Sequence, residues 1–471
     1  MPPLDISPDE FLCLAEQVAH LSANYLRTLD SRPNMPRVRG EEAERIFRQP
    51  LNHEALGAKA LDGLRDVIDL SRVQNARFFG YVLGSGEPVA AVADLLASVL
   101  NQNVTAWRSG PAAVTLERTV VGWLAEAIGC AGFHGCLSSG GSAANLMGLA
   151  MAREAKKPMN ENGPSQGTGV LYASDEAHMS IPKSVALLGI GRKNLRLIAT
   201  DANFRMIPSA LESQIASDCA AGKTPIAVIA NAGTVSTGAI DPLPAIAEIA
   251  RKHNFWLHVD GAYGALAAIA APQKFPGLAL ADSLSLDPHK WLYQPLDCGC
   301  LLYRDSSHAR TAFSHTGEYA RVLTRDPVEG FAFFEESIEL SRRFRALKLW
   351  LSLRYHGLQA FQDAIEKDLL LAQRMAKVIV DAPQLELAAP VELSAVCFRY
   401  RGMGSCTEAE ANERNAAILK QVIQRGHVYL SNASLRGKFC LRACIVNHRT
   451  REQDVDSVVP EVLRAAEDLG I

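Results

Sequence analysis

The chain has 471 residues, 48% of them hydrophobic and 21% charged, enough to bury a large domain and one or two smaller ones. Its 48 Lys and Arg against 51 Asp and Glu leave a net charge of −3, which gives no electrostatic case for a nucleic-acid partner. The ten cysteines hold no Cys-x-x-Cys pair, no apolar run reaches the length of a membrane span, and Met1-Pro2-Pro3-Leu4-Asp5 has no basic segment followed by an apolar one, so the expectation is a cytoplasmic protein with reduced thiols.

Ser7-Pro8-Asp9-Glu10 opens the first helix, with serine as N-cap, proline in the first helical position and glutamate able to reach back to the cap. The helix is predicted to run to about Leu29, where Arg32-Pro33-Asn34-Met35-Pro36 breaks it, and helical patterns resume from about Gly40 and over 55–71. Residues 1–85 hold too little core to stand alone and need a partner surface on their own subunit or a neighbouring one. Ala76-Arg77-Phe78-Phe79-Gly80-Tyr81 and Trp107-Arg108-Ser109-Gly110-Pro111 flank a helix predicted over 89–100. Aromatics beside loops can line a ligand pocket, which makes Phe79 and Tyr81 pocket candidates, while Phe78 and Phe79 serve as well for plain core.

From about Ala112 the pattern alternates. A helix over 114–128 leads to a strand at 135–138, then to the turn Ser139-Gly140-Gly141-Ser142 and a helix over 143–154. A glycine turn at a helix start exposes backbone amides at the positive end of the helix dipole and suits a phosphate, to which Ser142 can add its hydroxyl. Further strands read at 169–173, 195–199, 225–231, 255–259, 283–286 and 298–303, completing a largely parallel seven-stranded α/β sheet in residues 86–345. Cys298 and Cys300 should share one face of the last strand. Ligands of such sheets sit beyond the carboxyl ends of the strands.

Three polar groups fall at such ends. Ser174-Asp175-Glu176-Ala177-His178 follows a strand with an imidazole that can stack on a flat ring, and Trp256-Leu257-His258-Val259-Asp260 ends in a carboxylate. Thirty residues later, Ser285-Leu286-Asp287-Pro288-His289-Lys290-Trp291-Leu292 sets a lysine between an apolar run and a tryptophan. A lysine amine able to form a Schiff base and a strand-end aspartate able to keep a pyridine nitrogen protonated are the requirements of a pyridoxal phosphate site. Beyond Arg345 a helix over 346–355 leads into a smaller C-terminal α/β domain, 346–471, with strands at 385–387, 395–399, 427–430 and 439–445 and a closing helix over 452–469.

In their order, Ser139-Gly140-Gly141-Ser142, Asp175-Glu176-Ala177-His178, His258-Val259-Asp260, Asp287-Pro288-His289-Lys290-Trp291 and Arg342-Arg343-Phe344-Arg345 resemble the group II pyridoxal-phosphate-dependent amino acid decarboxylases, which include aromatic L-amino acid, glutamate and histidine decarboxylases. The resemblance implies the aspartate aminotransferase-like fold (PLP fold type I) and a homodimer with active sites at the subunit interface, where the N-terminal segment packs. It implies that Lys290 is the Schiff-base lysine, that Asp260 pairs with the pyridine nitrogen, and that His178 and Ala262 take the two ring faces. Gly141, Ser142 and His289 then hold the phosphate, and Tyr319, 29 residues after Lys290, is the loop tyrosine that donates the final proton. The implied reaction converts an L-amino acid to its amine and carbon dioxide; oxidative decarboxylation-deamination to an aldehyde and a non-catalytic cofactor-binding role are the alternatives. Departures from the family pattern are Asn75-Ala76 for His-Pro, Val235 for a threonine and Asp287 for the asparagine of aromatic decarboxylases. Asn103 and Thr105 occupy positions that match apolar substrate contacts, which weakens the case for an aromatic side chain.

Overall fold

All seven strands expected in the larger sheet form in the computed structural model, which describes residues 4–36, 38–51, 53–163, 169–315, 326–402 and 406–471. They are β1 (His134–Ser138), β2 (Gly169–Ser174), β3 (Leu195–Ile198), β4 (Thr224–Asn231), β5 (Trp256–Asp260), β6 (Ser283–Leu286) and β7 (Gly299–Tyr303), in the order β1-β7-β6-β5-β4-β2-β3. The five strands from β6 to β3 are mutually parallel, and β7 runs antiparallel to both of its neighbours. Helices on both faces bury the central strands, which explains their unbroken apolar runs: Ile226, Ala227, Val228, Ile229 and Ala230 have no exposed surface. One consequence positions everything that follows. The carboxyl ends of six strands and the amino end of β7 lie along a single edge. Cys298 and Cys300 at β7 are both fully buried, and burial pushes the Cys298 thiol up to about 12.

The helix Ala346–Val380 joins this body to a second sheet and changes direction at Gly357, whose φ of 74° is a backbone conformation that side-chain-bearing residues rarely adopt. The second sheet is fully antiparallel, with β8 (Leu385–Leu387), β9 (Ala395–Tyr400), β10 (Ser431–Leu435) and β11 (Lys438–Cys444) in the order β10-β11-β9-β8. The strand expected at 427–430 is displaced: Tyr429 makes only an isolated bridge to Phe78, and the paired strand is the next segment. Val428 and Leu430 pack into the core of this second body, so their apolar run signals burial, whereas the polar alternation of Ser431-Asn432-Ala433-Ser434-Leu435 is the strand.

The N-terminal helix is Pro8–Thr28, and the Ser7 side chain accepts from the Glu10 amide at 3.1 Å as the cap reading expects. None of its residues is buried, and Phe11, Leu12, Val18 and Leu26 remain exposed. The helix Pro88–Leu100 turns Ala90, Ala93 and Ala97 inward and leaves Val92, Leu95, Leu96 and Val99 outward. Two apolar helix faces are therefore uncovered on the single chain.

Arg342 braces the base of the site edge. Fully buried, it donates to Glu117 at 2.5 Å, to the Leu137 carbonyl at 2.8 Å and to the Val104 carbonyl at 2.9 Å, and its guanidinium lies 4.2 Å from the Phe333 ring centroid. Glu117 also accepts from the Leu137 amide at 2.9 Å, so the pair clamps β1 just before the glycine turn. A buried pair contributes little net stability over apolar replacements, but removing one partner strands a charge. Arg342→Met is expected to lower unfolding stability by about 3–5 kcal/mol, and Arg342→Met with Glu117→Gln to recover more than half of that loss, as read by urea denaturation. An unchanged midpoint in the single variant would remove the clamp.

Candidate active site

A cavity of about 290 Å³ opens at the shared strand edge. Its walls include Gly140, Gly141 and Ser142 after β1, His178 after β2, Asp260 and Ala262 at the end of β5, and Asp287, His289 and Lys290 after β6. Every residue assigned from sequence to the cofactor thus lines one cavity.

At the mouth of β1 the helix Gly141–Lys156 begins without a side-chain cap, because Gly140 has none to offer. A Cβ at Gly141 would sit 2.6 Å from the Ala262 Cβ and 2.9 Å from Asp287 Oδ2, closer than real Cβ atoms come. Bare backbone amides at the positive end of a 16-residue helix are left facing the cavity, a fit for a phosphate.

Asp260 is 5% exposed and accepts three hydrogen bonds: from Asn145 Nδ2 at 2.9 Å on Oδ2, and from Ser285 Oγ at 3.1 Å and the Ala262 amide at 3.2 Å on Oδ1. A carboxylate offers about four acceptor positions, so room remains for one more donor from the cavity. A protonated ring nitrogen fits that vacancy.

Lys290 Nζ lies 2.8 Å from Asp287 Oδ2, and His289 Nε2 lies 3.6 Å from the same oxygen. Asp287 Oδ1 is buried with no protein partner. His289 Nδ1 is 2.7 Å from the Cys298 carbonyl, which can only accept, so the proton of the neutral ring sits on Nδ1. Burial lowers the basicity of His289 and of His178, keeping both imidazoles neutral near pH 7. Next door, Tyr263 stacks on Trp291 with centroids 6.0 Å apart and planes 6° from parallel, which anchors the turn that carries the lysine.

The substrate-pocket residues read from sequence do not gather here. Phe79 has no exposed surface and belongs to the core around the second sheet, the plain-core option for an apolar aromatic. Tyr81 is 43% exposed and bonds Tyr429 through its hydroxyl at 3.0 Å, with the Arg72 guanidinium 5.2 Å from its ring; its neighbour Val82, not Tyr81, lines the cavity. Asn103 spends its side-chain oxygen on the Arg342 amide at 2.9 Å, and Thr105 lies in the adjoining segment, whose carbonyl receives the Phe334 amide. Neither lines the cavity of its own chain. Tyr319 lies outside the described residues. Sequence reasoning passed over Asn145 and Ser285, both in direct contact with Asp260. The signal for Asn145 was its place one helical turn beyond Gly141, on the same side of that helix.

Comparison with known proteins agrees with this architecture. The pyridoxal-dependent decarboxylase conserved domain matches residues 64–401. The chain is 35% identical over 474 residues to an aromatic-L-amino-acid decarboxylase of Bacillus atrophaeus, covering 99% of this chain and 98% of that one. It is 31% identical over 475 residues to a 4-hydroxyphenylacetaldehyde synthase of Rhodiola rosea, covering 97% and 94%. Among solved structures it is similar to Oryza sativa TDC with PLP and tryptamine, with a TM-score of 0.91, 26% identity and coverage of 100% and 99%.

Gly141→Ala is expected to weaken pyridoxal phosphate binding by about tenfold or more, roughly 1.4 kcal/mol, with the circular dichroism spectrum unchanged. Fluorescence titration with the cofactor reads this directly, and wild-type affinity would take the glycine turn out of the site.

Proposed function

The chain belongs to the pyridoxal-dependent decarboxylase family, has the aspartate aminotransferase-like PLP fold type I and is a pyridoxal-phosphate-dependent amino acid decarboxylase; on that premise we propose that its substrate is an aromatic L-amino acid. The observation that carries the reading of the site is the convergence of Lys290, Asp260 and His178 on one cavity. The names of the relatives support the aromatic side chain.

When bound, pyridoxal phosphate supplies the electron sink that lets a carboxylate leave as carbon dioxide. Lys290 Nζ is the amine that would tether the cofactor. Asp260, with one acceptor position left over from its three protein donors, holds the proton on the pyridine nitrogen, a charge-assisted bond worth roughly 1.5–3 kcal/mol. Gly141, Ser142 and His289 hold the phosphate, while His178 and Ala262 confine the ring between them. His178, kept neutral by burial, adds no cation beside the lysine. Tyr319 returns a proton to the carbon that lost its carboxylate. A relative named as an aldehyde synthase supports a second reading, oxidative decarboxylation-deamination, which replacement of that tyrosine would favour.

Exposure and composition support the remaining assignments. The uncovered faces of Pro8–Thr28 and Pro88–Leu100 are assigned to a second copy, giving a homodimer with 1–85 at the interface, 86–345 as the cofactor-binding domain and 346–471 as the small domain. Ten free cysteines suit a reducing, cytoplasmic setting, and no helix among the described residues is long and apolar enough to cross a membrane.

The purified holoenzyme, offered each amino acid in turn while carbon dioxide, amine, aldehyde and peroxide are followed, should release carbon dioxide and the matching amine from an aromatic substrate. Turnover confined to an acidic amino acid would overturn the aromatic assignment. Asp260→Asn should fold normally and lose roughly 10²–10⁴-fold in kcat; Tyr319→Phe should divert product from amine to aldehyde, and an unchanged product ratio would exclude the tyrosine as proton donor.

A further inference from the structure

Behind the cavity wall lies a buried chain of polar side chains that the reaction above leaves unused. Trp256 Nε1 is 2.8 Å from Ser283 Oγ, Ser283 Oγ is 2.7 Å from His258 Nδ1, and His258 Nε2 is 2.9 Å from Asn145 Oδ1. Asn145 Nδ2 then forks, 2.9 Å to Asp260 Oδ2 and 2.9 Å to Ser180 Oγ, and Ser180 Oγ is 2.8 Å from His178 Nδ1. Trp256, Ser283, His258, Asn145 and Ser180 are all at most 2% exposed.

The directions of these bonds are determined by its two ends. An indole nitrogen can only donate, and a carboxylate that has lost its proton can only accept. Asp260 therefore demands the NH₂ of Asn145, which turns Asn145 Oδ1 toward His258 and requires a proton on His258 Nε2. His258 Nδ1 is then the acceptor for the Ser283 hydroxyl, whose oxygen receives the Trp256 proton. Reversing any link would set acceptor against acceptor or donor against donor in a buried site, where an unmatched polar group costs most. On the other branch, the second NH of Asn145 occupies Ser180 Oγ, so the Ser180 hydroxyl proton goes to His178 Nδ1. The Ser180 backbone amide, 3.2 Å away, donates to the same nitrogen.

We propose that Trp256, Ser283, His258, Asn145 and Ser180 form a one-way hydrogen-bond relay that both orients Asp260 and fixes His178 as its Nε2–H tautomer. The His178 edge turned away from Ser180 is then a hydrogen-bond donor, matched to an oxygen of the substrate and closed to another donor. These are positioning residues, acting through Asp260 and His178. Two further observations support the relay. Burial lowers His258 to about 4, so its ring stays neutral and keeps its direction at working pH. Gly148 leaves the helix bare where the ring packs: a Cβ there would lie 2.6 Å from His258 Nδ1 and 3.1 Å from Ser283 Oγ.

The inference rests on the proposed function only for the roles of Asp260 and His178, and its test does not need turnover. Cofactor-free protein labelled with ¹⁵N-histidine, with signals assigned through His178→Gln and His258→Gln, should show both rings as Nε2–H tautomers at pH 7. An Nδ1–H or mixed tautomer at either ring would overturn the relay. Asn145→Leu keeps roughly the size of the side chain but removes the Oδ1 acceptor that holds the His258 proton on Nε2, so His258 should become a mixture of tautomers while the Ser180 amide still keeps His178 as Nε2–H. In the holoenzyme that variant should lose about tenfold or more in kcat with KM nearly unchanged, and the absorbance spectrum of the bound cofactor should shift. An unaltered His258 tautomer in Asn145→Leu would refute the coupling. A chain that decarboxylates no amino acid while showing the expected tautomers would instead retire the functional reading and leave the relay standing.

Discussion

A carboxylate buried at the end of the central strand sets the terms for the structure around it. Asp260 is the last residue of β5, the fourth strand counted from the β3 edge, where it is only 5% exposed and a bare charge is costly. Its surroundings are therefore donors: the Asn145 amide from the helix after β1, the Ser285 hydroxyl from β6, and the backbone of Ala262. These three come from separate stretches of chain, and holding them together fixes the spacing of β5, β6 and the helix Gly141–Lys156. The same helix presents its uncapped start to the cavity, so satisfying the carboxylate also aims the amides into that cavity.

Charge is handled differently at the two ends of the cavity. Around Asp260 the partners are neutral and directional, while around Lys290 they are ionic, with Asp287 2.8 Å from the ammonium. Asp287 also faces the glycine turn, so a carboxyl stands at that turn where the aromatic decarboxylase pattern has asparagine. An anion bound at that turn would share its corner with the salt bridge between Lys290 and Asp287. Farther out, Arg342 and Glu117 clamp β1 from beneath, and the mutual burial of this pair keeps the turn from drifting.

Much of this was legible in the sequence because the signals were local. The central strands could be read from apolar runs because a sheet covered on both faces buries both sides of β2 and β4. Lys290, Asp260, His178 and the glycine turn could be read because each ends a strand and is chemically unusual there. What escaped was decided by contacts between distant segments. Asn145 looks like one polar residue within an apolar helix, and only the fold shows three partners around it. His258 shares a strand face with Asp260 by simple alternation, a hint that carries no meaning until Ser283 and Asn145 come alongside. Phe79 and Tyr81 are adjacent in composition but opposite in fate, one interior and one at the surface, because the backbone turns at Tyr81, where φ is 60°. The misplaced strand at 427–430 arose from treating apolar continuity as sheet where it was packing.

The position of β1 has a consequence for how the chain folds. Its one sheet partner is β7, and 160 residues separate the end of β1 at Ser138 from the start of β7 at Gly299. During synthesis the parallel strands can zip together in turn as each helix is made, but β1 and the turn behind it wait for a strand that emerges last of the seven. Closing so long a loop is slow, and it places the glycine-turn end of the cavity among the late steps of folding. The turn after β1 is steadied by the strand that follows Lys290, so a nascent chain halted before residue 299 holds every residue that lines the cavity but leaves β1 without its partner in the sheet.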